Sequence, residues 1–240
     1  MAASQTLVKS MEKRERADAK KEIRGCYLKL RDQIPEDVRR EKSRRITAKL
    51  MAHPWYHEAE ELLCFVSFRS EVDTFPLIRE SLRSGKNIYC PRVGIDGKSM
   101  EFYRIDSIGK LQPGYQGILE PPADEAGRFD AEQFRCKQPE TEVHKRRDCH
   151  VLMILPGAAF DSHCHRIGYG GGFYDRYLER FLMPVHTVAV AFDEQIATEI
   201  PSELHDICPE LVITDRQVIR KESWHELHLP ENLCAKANDI

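Results

Sequence analysis

Residues 165 to 175 contain the densest group of side chains in this chain that could do chemistry. They read His-Arg-Ile-Gly-Tyr-Gly-Gly-Gly-Phe-Tyr-Asp, and four glycines fall within five positions, Gly168, Gly170, Gly171 and Gly172. Glycine lets the backbone adopt positive φ and lets a ligand approach the main chain closely. Backbone N–H groups just before a helix lack partners within that helix, and they therefore attract an anion. The spacing predicts an anion site.

Charged side chains at the two ends of this segment make the prediction more specific. Arg166 carries a guanidinium that suits contact with two phosphate oxygens, and Asp175 carries a carboxylate that suits Mg²⁺. The segment lacks the Gly-Lys-Ser/Thr of a Walker A loop, and Phe173 stands where the dinucleotide fingerprint has its third glycine. We therefore predict a nucleotide phosphate site of another kind, with a flexible surface loop as the alternative.

The composition is that of an ordinary globular protein. The 240 residues, 41% hydrophobic and 31% charged, suit one α/β domain over residues 1–240 with an ordered core of about 12–220. No apolar run is long enough for a membrane helix, and the first residues lack the apolar stretch of a signal peptide. Eight cysteines without a Cys-x-x-Cys pair favour free thiols. We expect a cytoplasmic monomer without a membrane partner.

The first 50 residues are basic, with 15 Lys or Arg against 8 Asp or Glu. Such a segment could bind nucleic acid, or it could form a solvated helix face. The bases alternate with acids at helical spacing, and no aromatic residues stand between them to stack on nucleobases. We therefore expect no nucleic-acid partner.

Alternating helix and strand patterns must position these residues. Apolar spacing predicts helices over residues 12–33, 35–50, 75–82 and 173–182. Strands are predicted over residues 61–68, 87–90, 100–105, 151–155, 187–192 and 211–214, with 218–219 as a hairpin partner. The strand–helix–strand unit of residues 61–90 implies parallel pairing with a right-handed crossover. The order predicts an α/β three-layer sandwich, with a mainly parallel central sheet and helices on both faces.

Ligands of such sheets bind beyond the carboxyl ends of the strands. The glycine segment follows the strand at 151–155, residues 68–71 follow the first strand, and residues 193–205 follow a later one. We expect these loops to meet at one edge of the sheet. Residues 123–148 have little periodicity and are predicted to form a polar surface excursion, and residues 221–240 a tail.

Several segments, in order, resemble the 5-formyltetrahydrofolate cyclo-ligase family, also called methenyltetrahydrofolate synthetase. Besides the glycine segment, the resemblance includes Lys20-Lys-Glu-Ile-Arg24, Glu71-Val-Asp-Thr74, Gly117-Ile-Leu-Glu-Pro121, Pro156-Gly-Ala-Ala-Phe-Asp161, Ala191-Phe-Asp-Glu-Gln195 and His205-Asp206. It extends from about residue 20 to residue 215. The chain departs from the family pattern at Cys164, where the family usually has glycine, and in a long segment 123–148.

The resemblance implies ATP-dependent conversion of 5-formyltetrahydrofolate to 5,10-methenyltetrahydrofolate, with release of ADP and phosphate and a requirement for Mg²⁺. A formyl oxygen is a poor leaving group, so its phosphorylation by ATP prepares it to depart when N10 attacks the formyl carbon. Such chemistry needs no covalent nucleophile. The protein must align the reactants and stabilise the charge on the transferred group.

The resemblance also implies roles for particular residues. The catalytic residues are Lys20, Arg166 and Tyr174, and the Mg²⁺ ligands are Asp175 and Asp206. The folate contacts are Val66, Glu71, Tyr169 and Phe173. The ATP contacts come from two segments, Lys20, Lys21, Glu22, Ile23 and Arg24, and then Arg166, Ile167, Gly168, Tyr169, Gly170, Gly171, Gly172, Phe173 and Tyr174.

Structural alternatives remain at several of these positions. Lys20 and Arg24 could form a solvated helix face, and Asp206 or Glu71 could cap a turn or a helix. The sequence His163-Cys164-His165 could hold a metal, although no distant fourth ligand is evident. His205 could serve as a general acid or base, which ring closure does not require.

Two other functions also remain open. One is a regulator that binds nucleotide without turnover. The presence of both Asp175 and Asp206 favours the enzyme over this regulator. The other is a nucleic-acid-binding module that uses the basic N-terminal helix.

Overall fold

A seven-stranded sheet forms the centre of the molecule. The computed structural model describes residues 2–131, 150–181, 185–203 and 206–221, with side chains from residue 14 onward. The strands of the main sheet are β1 (Glu61–Cys64), β2 (Asn87–Val93), β3 (Met100–Ile105), β6 (Val151–Leu155), β9 (His186–Val190), β10 (Leu211–Ile213) and β11 (Val218–Arg220). Two small ribbons accompany the sheet, β4 (Gln112–Pro113) with β5 (Leu119–Glu120), and β7 (Ala159–Phe160) with β8 (Arg166–Ile167).

The strand order is β11-β10-β9-β6-β1-β2-β3. The five inner strands are parallel, and the two edge strands, β3 and β11, are antiparallel to their neighbours. Glu61 of β1 pairs with Asn87 of β2 on one side and with Val151 of β6 on the other. The chain runs from β1 towards one edge and from β6 towards the other. This order creates a switch point between β1 and β6, which is where open α/β sheets bind ligands.

The helices cover both faces of the sheet, as predicted. They are α1 (Ala2–Asp32), α2 (Glu36–Met51), α3 (Pro54–Glu58), α4 (Phe75–Arg83) and α5 (Phe173–Leu178). Successive side chains of a strand point to opposite faces, so β1 contributes Leu62 to one buried cluster and Leu63 to the other. The cluster around Leu62 is covered by α2, α3 and α4, and the cluster around Leu63 by α5. No helix of the described residues combines the length and the apolar character needed to cross a membrane.

Helix α1 packs on the β7–β8 ribbon and on residues near Ile200. Ile23, Tyr27 and Leu28 contact a small buried cluster that includes Ala159 and Ile167. The apolar face of α1 includes Leu28 and not Leu30, which is 41% exposed. The helix also begins at Ala2, earlier than predicted. Its packing brings one side of α1 over the carboxyl ends of the strands.

Several predicted strand boundaries were wrong for local reasons. Strand β1 ends at Cys64, because the Phe65 carbonyl accepts a hydrogen bond from the Thr74 hydroxyl (2.8 Å) and the chain turns. Strand β2 continues through Pro91, because β1 pairs with it only as far as Tyr89 and a proline is tolerated along an unpaired edge.

Two further boundaries were misplaced, and parts of three predictions are untested. Strand β9 spans residues 186–190 and not 187–192, because the Phe192 N–H donates to the side chain of Gln195. Helix α5 ends at Leu178, and the last predicted position, 182, lies outside the described residues. Residues 132–148 of the predicted excursion, and the predicted tail from 222, also lie outside them.

Candidate functional site

The glycine segment forms a loop between β8 and α5 at the predicted edge of the sheet. Gly170 has φ +100° and Gly172 has φ +62°, which L side chains rarely adopt, so both positions favour glycine. Gly172 is the residue that immediately precedes α5. Because α5 has only six residues, the amides of the loop would contribute more to the predicted anion site than the helix dipole would.

Cys164, where the family usually has glycine, lies in the turn that precedes the glycine loop. Cys164 itself adopts φ +62° and is fully buried. The carboxylate of Asp161 stabilises this conformation, because its Oδ1 accepts hydrogen bonds from the backbone N–H groups of His163 and His165, both at 2.9 Å. Its Oδ2 lies 2.8 Å from Nδ1 of His165. The chain therefore enters β8 in a defined direction.

The structure does not support a metal site at His163-Cys164-His165. The described residues contain no group of three or more His, Cys, Asp or Glu side chains that could hold a metal ion. Burial raises the pKa of the Cys164 thiol to about 12, so it remains protonated and is a poor metal ligand. His205, the other histidine considered, lies outside the described residues.

Helix α1 directs two cations towards the glycine loop and its surroundings. Arg24 donates from Nε to the carbonyl of Gly168 (2.7 Å). Lys20 donates from Nζ to Asp206 Oδ2 (2.5 Å) and also reaches Glu203 Oε2 (3.4 Å). The Lys20 side chain is only 17% exposed, which contradicts the alternative of a solvated helix face. Burial lowers the pKa of Arg24, which still leaves it charged.

The remaining residues of the α1 segment point elsewhere. Lys21 and Glu22 are exposed and line a shallow groove on the outer surface of α1. Ile23 packs against the small cluster beneath the helix. The structure therefore brings Arg24 to the loop and Lys20 to Asp206 and Glu203, whereas Lys21 and Glu22 reach neither.

Arg166 is buried beside the loop and pairs with Asp175. Its Nη2 donates to Asp175 Oδ1 (2.6 Å), and its Nη1 donates to the carbonyl of Pro156 (3.3 Å). Its Nε is buried and has no hydrogen-bond partner among the described residues. A buried donor without a partner costs free energy. The guanidinium therefore has unused capacity for an acceptor.

A second feature is a narrow cavity beside the loop, which in the structure is too small to admit a water molecule. Its walls come from the carboxyl ends of β1, β6 and β9 and from neighbouring loops, and they consist of Arg31, Phe65, Glu71, Val72, Pro156, Gly157, Tyr169, Val190 and Gln195. The Glu71 carboxylate accepts from the backbone N–H of Phe68 through Oε2 (2.8 Å). Val66, also predicted to contact folate, is buried next to this wall. The lining is mixed, because four of these nine residues carry polar or charged side chains.

Burial raises the pKa values of three groups in and near this cavity, Glu71, Tyr169 and Tyr174. Burial raises the pKa of Glu71, and a hydrogen bond from the Tyr169 hydroxyl opposes that rise. Burial also raises the pKa of Tyr174, with the Glu71 carboxylate as a further cause. Tyr169 is 44% exposed as a residue, but its hydroxyl is enclosed by Arg31 and Glu71, and burial raises its pKa. Both tyrosines therefore remain hydrogen-bond donors.

Comparison with known proteins assigns the family. A sequence model of the 5-formyltetrahydrofolate cyclo-ligase family matches residues 16–215. The chain belongs to this family. It is 27% identical over 215 residues to the 5-formyltetrahydrofolate cyclo-ligase of Mus musculus, an alignment that covers 83% of this chain and 91% of the mouse protein. The Escherichia coli K12 relative of the same name is 28% identical over 187 residues, covering 77% and 94%.

Solved structures of cyclo-ligases agree with the fold. The 5,10-methenyltetrahydrofolate synthetase of Aquifex aeolicus superposes with a TM-score of 0.68 at 28% identity, covering 85% of this chain and 93% of that one. The Mycoplasma pneumoniae synthetase gives a TM-score of 0.61 at 18% identity, covering 82% and 98%, and supports the fold alone.

Three side chains of this cyclo-ligase site were missed by sequence reasoning. Arg31 is one, although it lies seven residues after Arg24 and therefore on the same side of α1, a spacing that could have indicated it. Gln195 is another, and its Nε2 donates to the carbonyls of Gly157 (2.9 Å) and Ala158. It thereby fixes the loop that follows β6.

The third is Tyr115, whose contact could not be predicted from spacing. Its ring packs edge-on against Phe173, with centroids 6.1 Å apart, and joins residues 114–118 to the glycine loop. The Phe173 ring also lies so close to Gly171 that a Cβ there would be 2.6 Å from it. Gly171 therefore allows the Phe173 side chain to pack against the loop.

Proposed function

We propose that this chain catalyses the ATP-dependent conversion of 5-formyltetrahydrofolate to 5,10-methenyltetrahydrofolate, with release of ADP and phosphate. One observation carries the proposal beyond family membership. Lys20 pairs with Asp206, and Arg166 beside the glycine loop pairs with Asp175. These are the two carboxylates that the resemblance implies for Mg²⁺. Phosphate-binding cations and metal-binding carboxylates are therefore next to one another.

The residues present fit a nucleotide phosphate. The buried Nε of Arg166 lacks a partner among the described residues, and a phosphate oxygen is a strong acceptor for such a donor. Gly170 and Gly172 leave the loop backbone without side chains on this surface. The cations Lys20 and Arg24 add charge from the helix above.

The residues also fit Mg²⁺ that arrives with the nucleotide. Mg²⁺ commonly uses one or two protein carboxylates together with substrate phosphates and water. Asp175 and Asp206 are two such carboxylates, with side chains 34% and 25% exposed. A pre-formed cage of three or more ligands is not required. Asp175 and Asp206 would hold the metal, and Lys20 and Arg166 the phosphates.

This pairing implies an exchange of partners on binding. In the structure each cation neutralises a carboxylate, so neither charge is buried alone. When Mg–ATP is bound, it supplies the phosphoryl group that makes the formyl oxygen a leaving group. Arg166 and Lys20 would bind phosphate oxygens and Asp175 and Asp206 would hold the metal, so that every charge would remain paired.

The cavity beside the loop supplies the folate contacts in this proposal. Glu71 accepts hydrogen bonds from the ring N–H groups of the substrate, and Val66 and Phe173 provide apolar contact. Tyr174, kept neutral by burial, can donate a hydrogen bond near the reacting atoms. These groups position the substrate and stabilise charge, and no covalent nucleophile is needed.

We place this activity in the cytoplasm, in keeping with the free state of the five described cysteines.

The test follows formation of the methenyl chromophore. Purified protein is mixed with 5-formyltetrahydrofolate, ATP and Mg²⁺, and the same mixture without ATP is the control. We expect absorbance to rise only when all three are present, and ADP to form in equal amount. A folded preparation that gives no ATP-dependent signal would refute the proposed function.

A further inference from the structure

Arg31 connects three segments of the chain that meet at the cavity. It lies near the end of α1 and is only 5% exposed. Its Nε donates to Ser70 Oγ (3.0 Å) in the loop after β1, and its Nη1 donates to the Tyr169 hydroxyl (2.5 Å) in the glycine loop. The Ser70 hydroxyl donates in turn to Asp32. No role follows for Arg31 from the residues that resemble the family.

The Tyr169 hydroxyl transmits this contact to Glu71. A phenol has a single proton, and because its oxygen accepts from Arg31, that proton is free for a hydrogen bond to the Glu71 carboxylate. Glu71 also accepts from the backbone N–H of Phe68. The carboxylate is therefore held from two sides, and it has about four acceptor sites in total. The unused ones are available to a ligand in the cavity.

The geometry at Arg31 needs a guanidinium. Its Nε and Nη1 donors diverge at fixed angles in one plane, and they reach Ser70 and Tyr169 together. A lysine ammonium at this position would keep the charge but could not hold both oxygens in that arrangement. The contact between Tyr169 and Glu71 would then depend on the mobility of the glycine loop.

We propose that Arg31 is a positioning residue of the folate pocket, which holds the Tyr169 hydroxyl against Glu71 and thereby orients Glu71 towards the N–H donors of the substrate. The inference rests on the proposed function, because it takes Glu71 as the folate contact. Arg31 acts through Tyr169 and does not touch the reacting atoms. It is thus a determinant of folate affinity and not of phosphoryl transfer.

The experiment is a double-mutant cycle on Arg31→Lys and Tyr169→Phe. The dissociation constant of 5-formyltetrahydrofolate is measured without nucleotide, and KM and kcat are measured at saturating Mg–ATP. We expect each single variant to weaken folate binding about tenfold, as loss of one hydrogen bond to a charged group implies. The double variant should bind 5-formyltetrahydrofolate no more weakly than the single variant that binds it less tightly. KM for folate should rise more than kcat falls, a split that a merely structural role would not produce.

Two remote substitutions provide matched controls. Tyr56→Phe removes another buried phenol hydrogen bond, to Ser81 (2.9 Å), and Arg39→Lys removes a guanidinium contact with the carbonyl of Ile34 (2.9 Å). Both should leave folate affinity unchanged. If Arg31→Lys does not fold, Ser70→Ala removes the other anchor of the same guanidinium and should weaken folate binding in the same direction.

The outcomes separate this inference from the proposed function. Additive losses in the double variant would show that Arg31 acts independently of Tyr169 and would overturn the inference. Unchanged folate affinity in folded Arg31→Lys would also overturn it, while the activity of the wild type would leave the proposed function intact. Wild-type protein that binds no 5-formyltetrahydrofolate would overturn both.

Discussion

Two buried ion clusters at the same edge of the sheet differ in how completely they are satisfied. In one, Lys42 of α2 contacts both oxygens of Glu194 (2.5 and 2.6 Å) and lies 3.3 Å from Asp215. Asp215 also accepts a hydrogen bond from the backbone N–H of Asp193 (3.0 Å). In the other, Arg166 pairs with Asp175, but its buried Nε has no partner among the described residues.

We interpret the difference as that between a structural cluster and a proposed binding cluster. Both follow inner strands of the sheet, so position alone does not distinguish them. A cluster whose charges are all paired has no capacity left for a ligand, and we infer that the Lys42 cluster holds α2 to the segments after β9 and β10. A cluster that leaves a buried donor unpaired sacrifices stability, and a ligand can recover it. Substitutions in and around the two clusters test this contrast.

The largest effect is expected for Asp175→Asn. The substitution keeps the shape of the side chain but removes the proposed Mg²⁺ ligand and the charge that Arg166 pairs with, so turnover should fall at least about 100-fold. Initial rates measured across a range of Mg²⁺ concentrations check this. Asp106→Asn, which removes an exposed ion pair with Lys110, is the matched control. Wild-type rates in Asp175→Asn at all Mg²⁺ concentrations would contradict the assigned role.

Lys42→Met should affect stability and not function. It leaves Asp215, which is almost fully buried, without its cation, and we expect the free energy of unfolding to fall by about 3 kcal/mol. ADP affinity should stay unchanged. Urea denaturation measures the free energy of unfolding, and titration calorimetry measures the affinity for ADP. Arg40→Met, which removes an exposed pair with Glu36, should cost only about 0.5 kcal/mol. Equal losses of unfolding free energy in Lys42→Met and Arg40→Met would mean that the Lys42 cluster does not stabilise the fold.

Gly170→Ala should weaken nucleotide binding about tenfold. A Cβ at this position would lie 3.8 Å from the guanidinium carbon of Arg24, which is an ordinary contact, so the penalty comes from φ +100° and not from a clash. Such backbone strain costs roughly 1–2 kcal/mol. Titration with Mg–ADP measures the change. Gly25→Ala, in α1 with open space around it, is the control and should bind normally. Normal ADP affinity in Gly170→Ala would argue against the loop as the phosphate site.

Glu71→Gln should give the smallest change, a modest rise in melting temperature at neutral pH. Burial raises the pKa of Glu71 in the folded state above its unfolded value of about 4.3, so the folded state binds the proton more tightly. The stability of the wild type should therefore fall as pH rises from that value through the folded pKa. Glutamine does not titrate, so the difference between variant and wild type should grow over the same window. Melting curves that differ by a constant amount at every pH would contradict this.

The sequence predicts those features that depend on local pattern. The alternation of apolar strands with helices identified the three-layer sheet, and the glycine spacing identified a loop in which Gly170 and Gly172 have positive φ. The resemblance added Arg24, which the structure brings to the loop, and Lys20, which the structure pairs with Asp206. Each of these features could be predicted either from residues close together in the sequence or from an ordered set of segments that match the family.

Contacts between distant segments could not be predicted in this way. That Lys20 meets Asp206 and that Arg31 meets Tyr169 depends on how α1 crosses the sheet, and no local pattern encodes that crossing. The left-handed Cys164 depends likewise on the buried Asp161 carboxylate, which compensates for the missing glycine. The continuation of β2 through Pro91 depends on where β1 stops pairing.

The pairing of β1 with β6 has a consequence for how the protein is made. Glu61 must find Val151 across a long stretch of chain, and closing such a loop costs entropy before any contact compensates for it. The β1–α4–β2–β3 unit uses nearer neighbours, so it can form earlier during synthesis. Both the cavity and the glycine loop require β6 or residues that come after it in the chain. Catalytic competence should therefore appear late, after the ribosome has released most of the chain.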